Sequence, residues 1–573
     1  MPTTSGLRGE GRSPIEEIFT FGLWGGSGPK PYTLGFEGFL REMRRCSMNC
    51  LLYAPEVGEG PEGTARLKHH VALCRRYGVY AVPHGGGDLS RLGELARTFG
   101  DEPSVLGWYI RDEPPPEFLP EFLECKKLLD EIAPRQPAVC LFYRPDSVLE
   151  FAPHQPVMLT DCYPFGYMHD GVSLGPHFAI KDGPHTLARG MGRFNPWGRR
   201  GVLEWMDLCR TLCGDLPHWI TLQTFESGDG RQVRWREPTA PEMRLQTYLA
   251  VAGGAKGINY FHYMHSTDAY GNPRPALHGE ETPLLEEIAR LGAELTPLGP
   301  LFVESEVAEP LTLVASLRPT PDPGERVEVR RLRSKSRDVD YLVAFNDDVQ
   351  VSSSAQINLS RAFLHGRALY DLRSLERMPT EELPGALAAH LALKPGDGRI
   401  FAVASEEDYE SDARTILAGR CRNEAAIAEM DYELAEKSRV NLGDAAPLQA
   451  QYRERMETGE YADALTRIRR CARAVEKAMR QEGTLWAAKQ DLEHAKRTLG
   501  RLSGAPGEYQ ERLSAAYVGL LGLFWEGDAA IIAPATAHLR ELVDAAAEHE
   551  PSAQTDEQSL RAVEQVARRY QPE

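Results

Sequence analysis

The sequence predicts an α/β chain: a (β/α)8 TIM barrel, then a small antiparallel β-sandwich, then a C-terminal α-helical domain. Three observations carry this. Eight short apolar runs alternate with amphipathic helical segments between Ile15 and Leu301. From Phe302 to Ala404 the texture changes to short β-type runs separated by turn residues. From Glu406 onward apolar residues recur at helical spacing. The domains implied are 1–301, 302–404 and 405–573.

The eight runs are "IFTFGLW", "NCLLYAP", "VYAVPHGG", "SVLGWYIRDEP", "AVCLFYR", "PVMLTDCYPF", "WITLQTFES" and "GINYFHYM". Continuous apolar runs bounded by polar, Pro or Gly positions are what strands buried on both faces look like. Amphipathic segments such as "LGFEGFLREMRRC", "ARLKHHVALCRRYG" and "PLLEEIARLGAELTPLG" lie between and after them. A doubly wound sheet is the rival reading, but "GLWGGSGPKP" after the first run leads to prolines and lacks the phosphate-binding fingerprint. In the sandwich region "PLTLVASL", "RVEVRRL", "DYLVAFNDD", "SSAQINL", "ALYDL" and "RIFAVA" read as strands, with "FNDD" and "PGDGR" as turns. In the tail Tyr461, Leu465, Ile468, Cys471, Ala472, Val475 and Met479 form one apolar stripe, and "LSGAPGEY" and "EHEPSAQTDE" read as loops.

The chain has 573 residues, with Lys plus Arg 65 against Asp plus Glu 83, a net charge of −18. That balance disfavours attraction to phosphate backbones, so nucleic acid is not an expected partner. No run approaches the roughly 20 apolar residues of a membrane span. The N-terminal segment shows no signal-peptide core, so the expected location is cytoplasmic, or secreted if a leader has been removed. Ten cysteines occur without a CxxC. The pairs Cys46/Cys50 and Cys209/Cys213 lie in helical patterns, and the thiols are expected to be reduced and mostly buried.

A barrel of this kind carries its active site at the C-terminal ends of its strands. Strand one offers Trp24 there, strand two Tyr53, strand three His84 and strand four Arg111, Asp112 and Glu113. Strand five offers Tyr143, strand six Asp161 and Tyr163, strand seven Glu226, and strand eight His262 and Tyr263. His262 and Tyr263 are adjacent, so at most one of them points into the mouth. Aromatic faces take the C–H faces of sugar rings, and polar groups take the hydroxyls. Glycoside hydrolysis needs two carboxyl groups, about 5–5.5 Å apart for retention and about 6.5–9.5 Å for inversion. Strands four and seven lie on opposite sides of a barrel mouth, which selects Glu113 and Glu226, with Glu237 as a rival to the latter. His84, Asp161 and His262 lack a short-spaced ligand pair, and no metal or other cofactor is expected.

"GWYIRDEP" resembles the strand-four motif, a strand ending in Asn-Glu-Pro, of glycoside hydrolases in the large (β/α)8 superfamily often called clan A. The following sandwich resembles the accessory domain of such enzymes. The resemblance implies a retaining glycosidase in which Glu113 is the acid/base and Glu226, in "LQTFES", the nucleophile. It implies an oligosaccharide, polysaccharide or glycoconjugate substrate. The family's Asn before the acid/base is Asp112 here, which accepts hydrogen bonds but does not donate when ionised. That departure, with the unusual tail, motivates a second reading: a non-catalytic carbohydrate-binding or assembly protein on a glycosidase-like barrel. The tail is expected to mediate packing or homo-oligomerisation. The stretch from Gly166 to Arg200 has the length of a lid over the cleft.

Overall fold

The computed structural model describes residues 13–25, 36–55, 60–85, 88–165, 168–169, 172–173, 201–225, 227–228, 233–235, 237–263, 266–267, 273–274, 284–309, 314–316, 327–501, 512–513, 515–517, 519–520, 523–524 and 529–547. Each of the eight apolar runs contains a strand. These are β1 (Thr20–Trp24), β2 (Cys50–Leu52), β3 (Tyr80–Val82), β4 (Trp108–Asp112), β5 (Ala138–Phe142), β6 (Met158–Cys162), β7 (His218–Gln223) and β8 (Gly257–Phe261). They form one sheet in the order β3-β2-β1-β8-β7-β6-β5-β4. Parallel bridges from Ala81 to Val105 and from His84 to Tyr109 join the two outer strands. The Tyr109 amide donates to Pro83 O at 2.8 Å, and the Gly85 amide to Tyr109 O at 2.8 Å. The sheet is therefore a closed barrel, with no free edge to protect.

Helices follow the strands: α1 (Phe36–Arg45), α2 (Gly60–Tyr77), α3 (Leu89–Phe99), α4 (Leu119–Ile132), α5 (Pro145–Phe151), α6 (Gly201–Cys213), α7 (Ala240–Ala252) and α8 (Leu284–Leu295). Local sequence starts several of them. Asp88 caps α3 by accepting from the Arg91 amide, and Thr239 with Glu242 forms a capping box on α7. Alternation along the strands divides the apolar residues. Leu52, Val82, Tyr109, Val139, Leu141, Leu159 and Trp219 pack inside the barrel. Phe21, Leu23, Leu51, Cys140, Phe142, Ile220, Leu222 and Tyr260 pack outward against the helices. Burying each such large apolar side chain contributes about 1.5–3 kcal/mol.

The sandwich has two antiparallel sheets. One orders β9 (Ser305–Val307), β11 (Val327–Ser334), β12 (Asp340–Asn346), β18 (Gly398–Ala404), β14 (Ala368–Asp371) and β15 (Glu376–Arg377). The other orders β10 (Val314–Ser316), β13 (Ser353–Ser360), β17 (Ala386–Leu393) and β16 (Glu381–Leu383). Leu342, Ala344 and Phe401 meet Ile357, Leu359 and Leu391 between them. Strand β17 escapes the sequence reading because "ALAAHLAL" favours a helix by propensity. Its pairing with β13, from Ser353↔Leu393 to Ser360↔Ala386, overrides that preference. The six-stranded sheet docks on the barrel through Arg244, whose guanidinium donates to Pro395 O at 3.0 Å, and through Gly398, which lies flat against the Tyr248 ring.

The tail supplies α9 (Glu406–Lys437), α10 (Ala445–Glu457), α11 (Tyr461–Glu482), α12 (Thr484–Arg501) and α13 (Ala529–Ala547). Leu465, Ile468, Cys471, Val475 and Met479 of the expected stripe are buried. Helix α9 runs from the sandwich to the barrel. Asp412 accepts from Arg337 at 2.5 Å and from the Tyr341 hydroxyl at 2.9 Å, and Asp431 and Glu433 pair with Arg45 and Arg76. The tail and the barrel helices share one apolar core. The segments "LSGAPGEY" and "EHEPSAQTDE" lie outside the described residues. Among the described residues no helix is long and apolar enough to cross a membrane.

All ten cysteines are unpaired, and eight are buried. Cys209 and Cys213 share α6, as expected. Cys46 and Cys50 do not share a helix: Cys46 follows the end of α1, and Cys50 opens β2 after a turn at Ser47.

Candidate active site

Strand β4 pairs with β5 through a one-residue bulge. Tyr109 faces Val139, Ile110 is extra, and Arg111 and Asp112 then face Cys140 and Leu141. Val139 and Leu141 point into the barrel, whereas Cys140 points to the helices. The bulge therefore turns Asp112 inward and Arg111 outward, where its guanidinium lies over the Phe118 ring at 4.6 Å. Glu113 follows with a φ of 45°, its amide donating to Leu141 O at 3.0 Å. Left-handed backbone is uncommon for residues other than glycine and costs on the order of 1 kcal/mol or more. Here it ends the strand and lifts the Glu113 side chain at the mouth. Pro114, Pro115 and Pro116 follow, and a 3-10 turn at Pro116–Phe118 starts α4.

Three carboxyl groups converge there. Asp112 accepts from the Tyr109 hydroxyl at 2.6 Å, and that hydroxyl accepts from the Trp24 indole at 3.2 Å. Asp112 reaches solvent through the mouth, yet protein surrounds most of its carboxyl, and burial pushes its pKa up against the pull of Tyr109. Asp161 sits on β6, 2% exposed. It hydrogen-bonds both Glu113 and the Tyr163 hydroxyl. Burial, then the nearby charge of Asp112, pushes Glu113 up to about 7, while the hydrogen bond from Asp161 pulls the other way. Burial, then the charges of Glu113 and Asp112, push Asp161 well above the usual carboxylate range. Tyr143 stands beside this group; burial, then Glu113, raises its hydroxyl.

The rest of the mouth is aromatic. Following the barrel order, His84 at β3 contacts Tyr53 at β2 (5.1 Å between centroids), and Tyr53 stacks on Trp24 at β1 (4.7 Å, 12°). Trp24 meets Phe261 at β8 edge-on (5.0 Å), and Phe261 meets Phe225 beyond β7 (5.1 Å) and Tyr163 beyond β6 (5.8 Å). Burial lowers the His84 pKa and keeps its imidazole neutral. Tyr53 shares the left-handed conformation of Glu113, with a φ of 59°. The mouth thus has an acidic arc from β4 to β6 and an aromatic arc around the other strands. Among the described residues no cluster of three or more His, Cys, Asp and Glu is arranged to hold a metal ion.

The structure gathers Trp24, His84, Asp112, Glu113, Tyr143, Asp161 and Tyr163 at this mouth. His262 lies at its rim, its ring packed close over Gly25 at the end of β1. Tyr263 does not join them. Its ring is 1% exposed and packs edge-on against Phe39 of α1 at 5.0 Å, on the helix side of the barrel. The physical reason is the alternation of neighbouring side chains at the strand end. Glu226 lies outside the described residues, as does most of 166–200, of which Met168–His169 pairs with Val172–Ser173. Glu237 is half-buried just before the α7 cap. Sequence reasoning does not single out Tyr109, which links Trp24 to Asp112, nor Phe261. The signal for Tyr109 would have been the bulge, which leaves no mark in the one-letter code.

No family model and no curated protein matches the chain. Among solved structures it is similar to a protein described as a glycoside hydrolase, at 14% identity and a TM-score of 0.45, over 70% of this chain and 97% of that one. It is also similar to a catalytic mutant of a GH42 beta-galactosidase from G. stearothermophilus, at 10% identity and a TM-score of 0.44, over 68% and 98% of the two chains. A third is a family 51 alpha-L-arabinofuranosidase from Bifidobacterium longum, at 10% identity and a TM-score of 0.36, over 68% and 95%. These likenesses concern the fold.

Proposed function

We propose that the chain is a glycoside hydrolase cleaving O-glycosidic bonds with retention, with Glu113 as acid/base and Glu226 as nucleophile. The observation that carries the reading is the Glu113 carboxyl, presented at the end of the fourth barrel strand with a pKa of about 7. An ordinary glutamate is almost wholly an anion near neutral pH; with its pKa pushed up to about 7, Glu113 keeps a large protonated fraction there and can serve as an acid. The aromatic arc supports a sugar substrate, because ring C–H faces pack on Trp24, Tyr53 and Phe261 while hydroxyls meet Asp112 and Tyr143.

In this mechanism Glu226 attacks the anomeric carbon while the Glu113 proton passes to the departing oxygen and the C–O bond breaks. The Glu113 carboxylate then takes a proton from water, which displaces Glu226 and releases the sugar. No cofactor takes part. The test is a panel of aryl glycosides with Glu113→Gln and Glu226→Gln as controls. Each substitution is expected to lower turnover by about 10²–10⁴ or more. Wild-type rates in both variants would sink the assignment.

A further inference from the structure

We infer that Asp161 is a positioning residue that stays a neutral carboxylic acid and donates its proton in a hydrogen bond to the Glu113 carboxylate. This rests on the glycosidase reading for its role, but not for its chemistry. The argument begins with barrel register. Gly22 on β1 aligns with Asn259 on β8, Asn259 with Thr221 on β7, and Thr221 with Asp161 on β6. Asp161 is thus part of an interior barrel layer, and it is 2% exposed. Its Oδ1 has no hydrogen-bond partner among the described residues. A carboxylate placed there would leave a charged oxygen buried and uncompensated, which is far more costly than a buried neutral acid.

Its other neighbours fit the neutral form. Two carboxyl groups joined by a hydrogen bond need a proton between them, and Asp161 and Glu113 are so joined. The Tyr163 hydroxyl donates to Asp161 from the same strand end and favours the anion, but burial and the charges of Glu113 and Asp112 outweigh it. Among the described residues the groups facing the pair are Asp112 on β4, Tyr143 after β5 and Tyr163 after β6. Among the described residues the cations beside these strand ends are turned elsewhere: Arg144 pairs with Asp146 and Arg111 lies over Phe118. Of the two acids, Asp161 is the more deeply buried, so the shared proton belongs to it.

The consequence concerns the acid/base cycle. When Glu113 gives its proton to the departing oxygen, it becomes an anion in a buried, acid-rich corner. Asp161–OH, fixed beforehand, stabilises that anion as it forms and keeps its own proton. When Glu113 later takes a proton from water, the same bond simply weakens. Without a donor there, Glu113 would hold its proton too tightly to release it near neutral pH.

The test is Asp161→Asn, which keeps a neutral donor of the same shape. The Glu113 titration is followed by NMR of protein labelled with ¹³C at the glutamate carboxyls, with Glu113→Gln identifying the signal. If Asp161 is neutral, the Glu113 midpoint in Asp161→Asn stays within about half a unit of wild type. A drop of about one unit or more would mean that Asp161 is an anion in the native protein, and would overturn the inference. Infrared spectra give a second readout: the C=O stretch of a buried protonated carboxylic acid should persist in the wild type at pH 9 and vanish in Asp161→Asn. Its absence from the wild type would also overturn it. If wild type turns over glycosides, the alkaline limb of its kcat/KM profile should sit at the same pH in Asp161→Asn. Absence of turnover in wild type would count against the glycosidase reading, while the two spectra would still decide the state of Asp161.

Discussion

Two clusters of acids in this molecule are built in opposite ways. At the barrel mouth Asp112, Glu113 and Asp161 crowd one another; burial pushes all three toward the protonated form, and the neighbouring carboxylates push Glu113 and Asp161 further. At the seam between α7, α8 and the sandwich, each of the three acids faces arginine. Glu287 takes Arg244 and Arg290 at 2.8 and 2.7 Å, and Glu294 takes Arg373 at 3.0 Å. Asp397 lies 3.5 Å from Arg373 and 3.6 Å from Arg290. The seam is matched charge for charge and holds two domains together. The mouth keeps its acids in tension. The contrast separates charges kept for cohesion from charges kept for proton transfer.

The sharpest way to break the comparison is to unbalance the seam. Arg373→Ala takes from Glu294 its closer arginine, leaving Arg290 at 3.4 Å, and removes donors to the Tyr248 hydroxyl and Gly398 O; it should cost about 2–4 kcal/mol in urea unfolding. A loss below about 1 kcal/mol would show that Arg290 alone suffices, and that the seam is no more cohesive than a surface pair.

Unbalancing the mouth should have the opposite sign. The Glu113 pKa is about 7 in the folded protein against an ordinary 4.5, so the folded state binds this proton more tightly than the unfolded chain. Its contribution to stability is full below about 4.5 and is lost as pH rises through about 7. Glu113→Gln should remove that decline and be more stable than wild type at pH 8 by roughly 1–3 kcal/mol. Equal melting at pH 8 would place the mouth in the same class as the seam.

The smallest effect tests the link between the two arcs of the mouth. Tyr109→Phe leaves the ring and removes the hydroxyl that serves Asp112 and Trp24. It should lower stability by about 1–2 kcal/mol and raise the Asp112 pKa further. Unchanged melting would mean that solvent entering the mouth replaces Tyr109.

Much of the barrel is legible in the sequence because each of its strands is buried on both faces and reads as an unbroken apolar run. The end of β4 is legible too, since two acids before three prolines cannot continue a buried strand. Three things are hidden for physical reasons. Strand β17 is made by its pairing partner, not by its own residues. The choice between His262 and Tyr263 depends on the phase of the strand end. The bond between Asp161 and Glu113 joins strands separated by β5, and nothing local in either segment announces it.

The bulge at Ile110 has one last consequence. Side-chain direction along a strand is a matter of odd and even, and an extra residue changes the parity of everything after it. Here that shift sends an arginine to the outside of the barrel and an aspartate to the inside, so the sign of the electric field in the cleft depends on how many residues precede it. Two chains with the same "RDE" at this strand end can therefore present opposite charges to a ligand. When such barrels are compared, the position of the bulge has to be matched before the letters are.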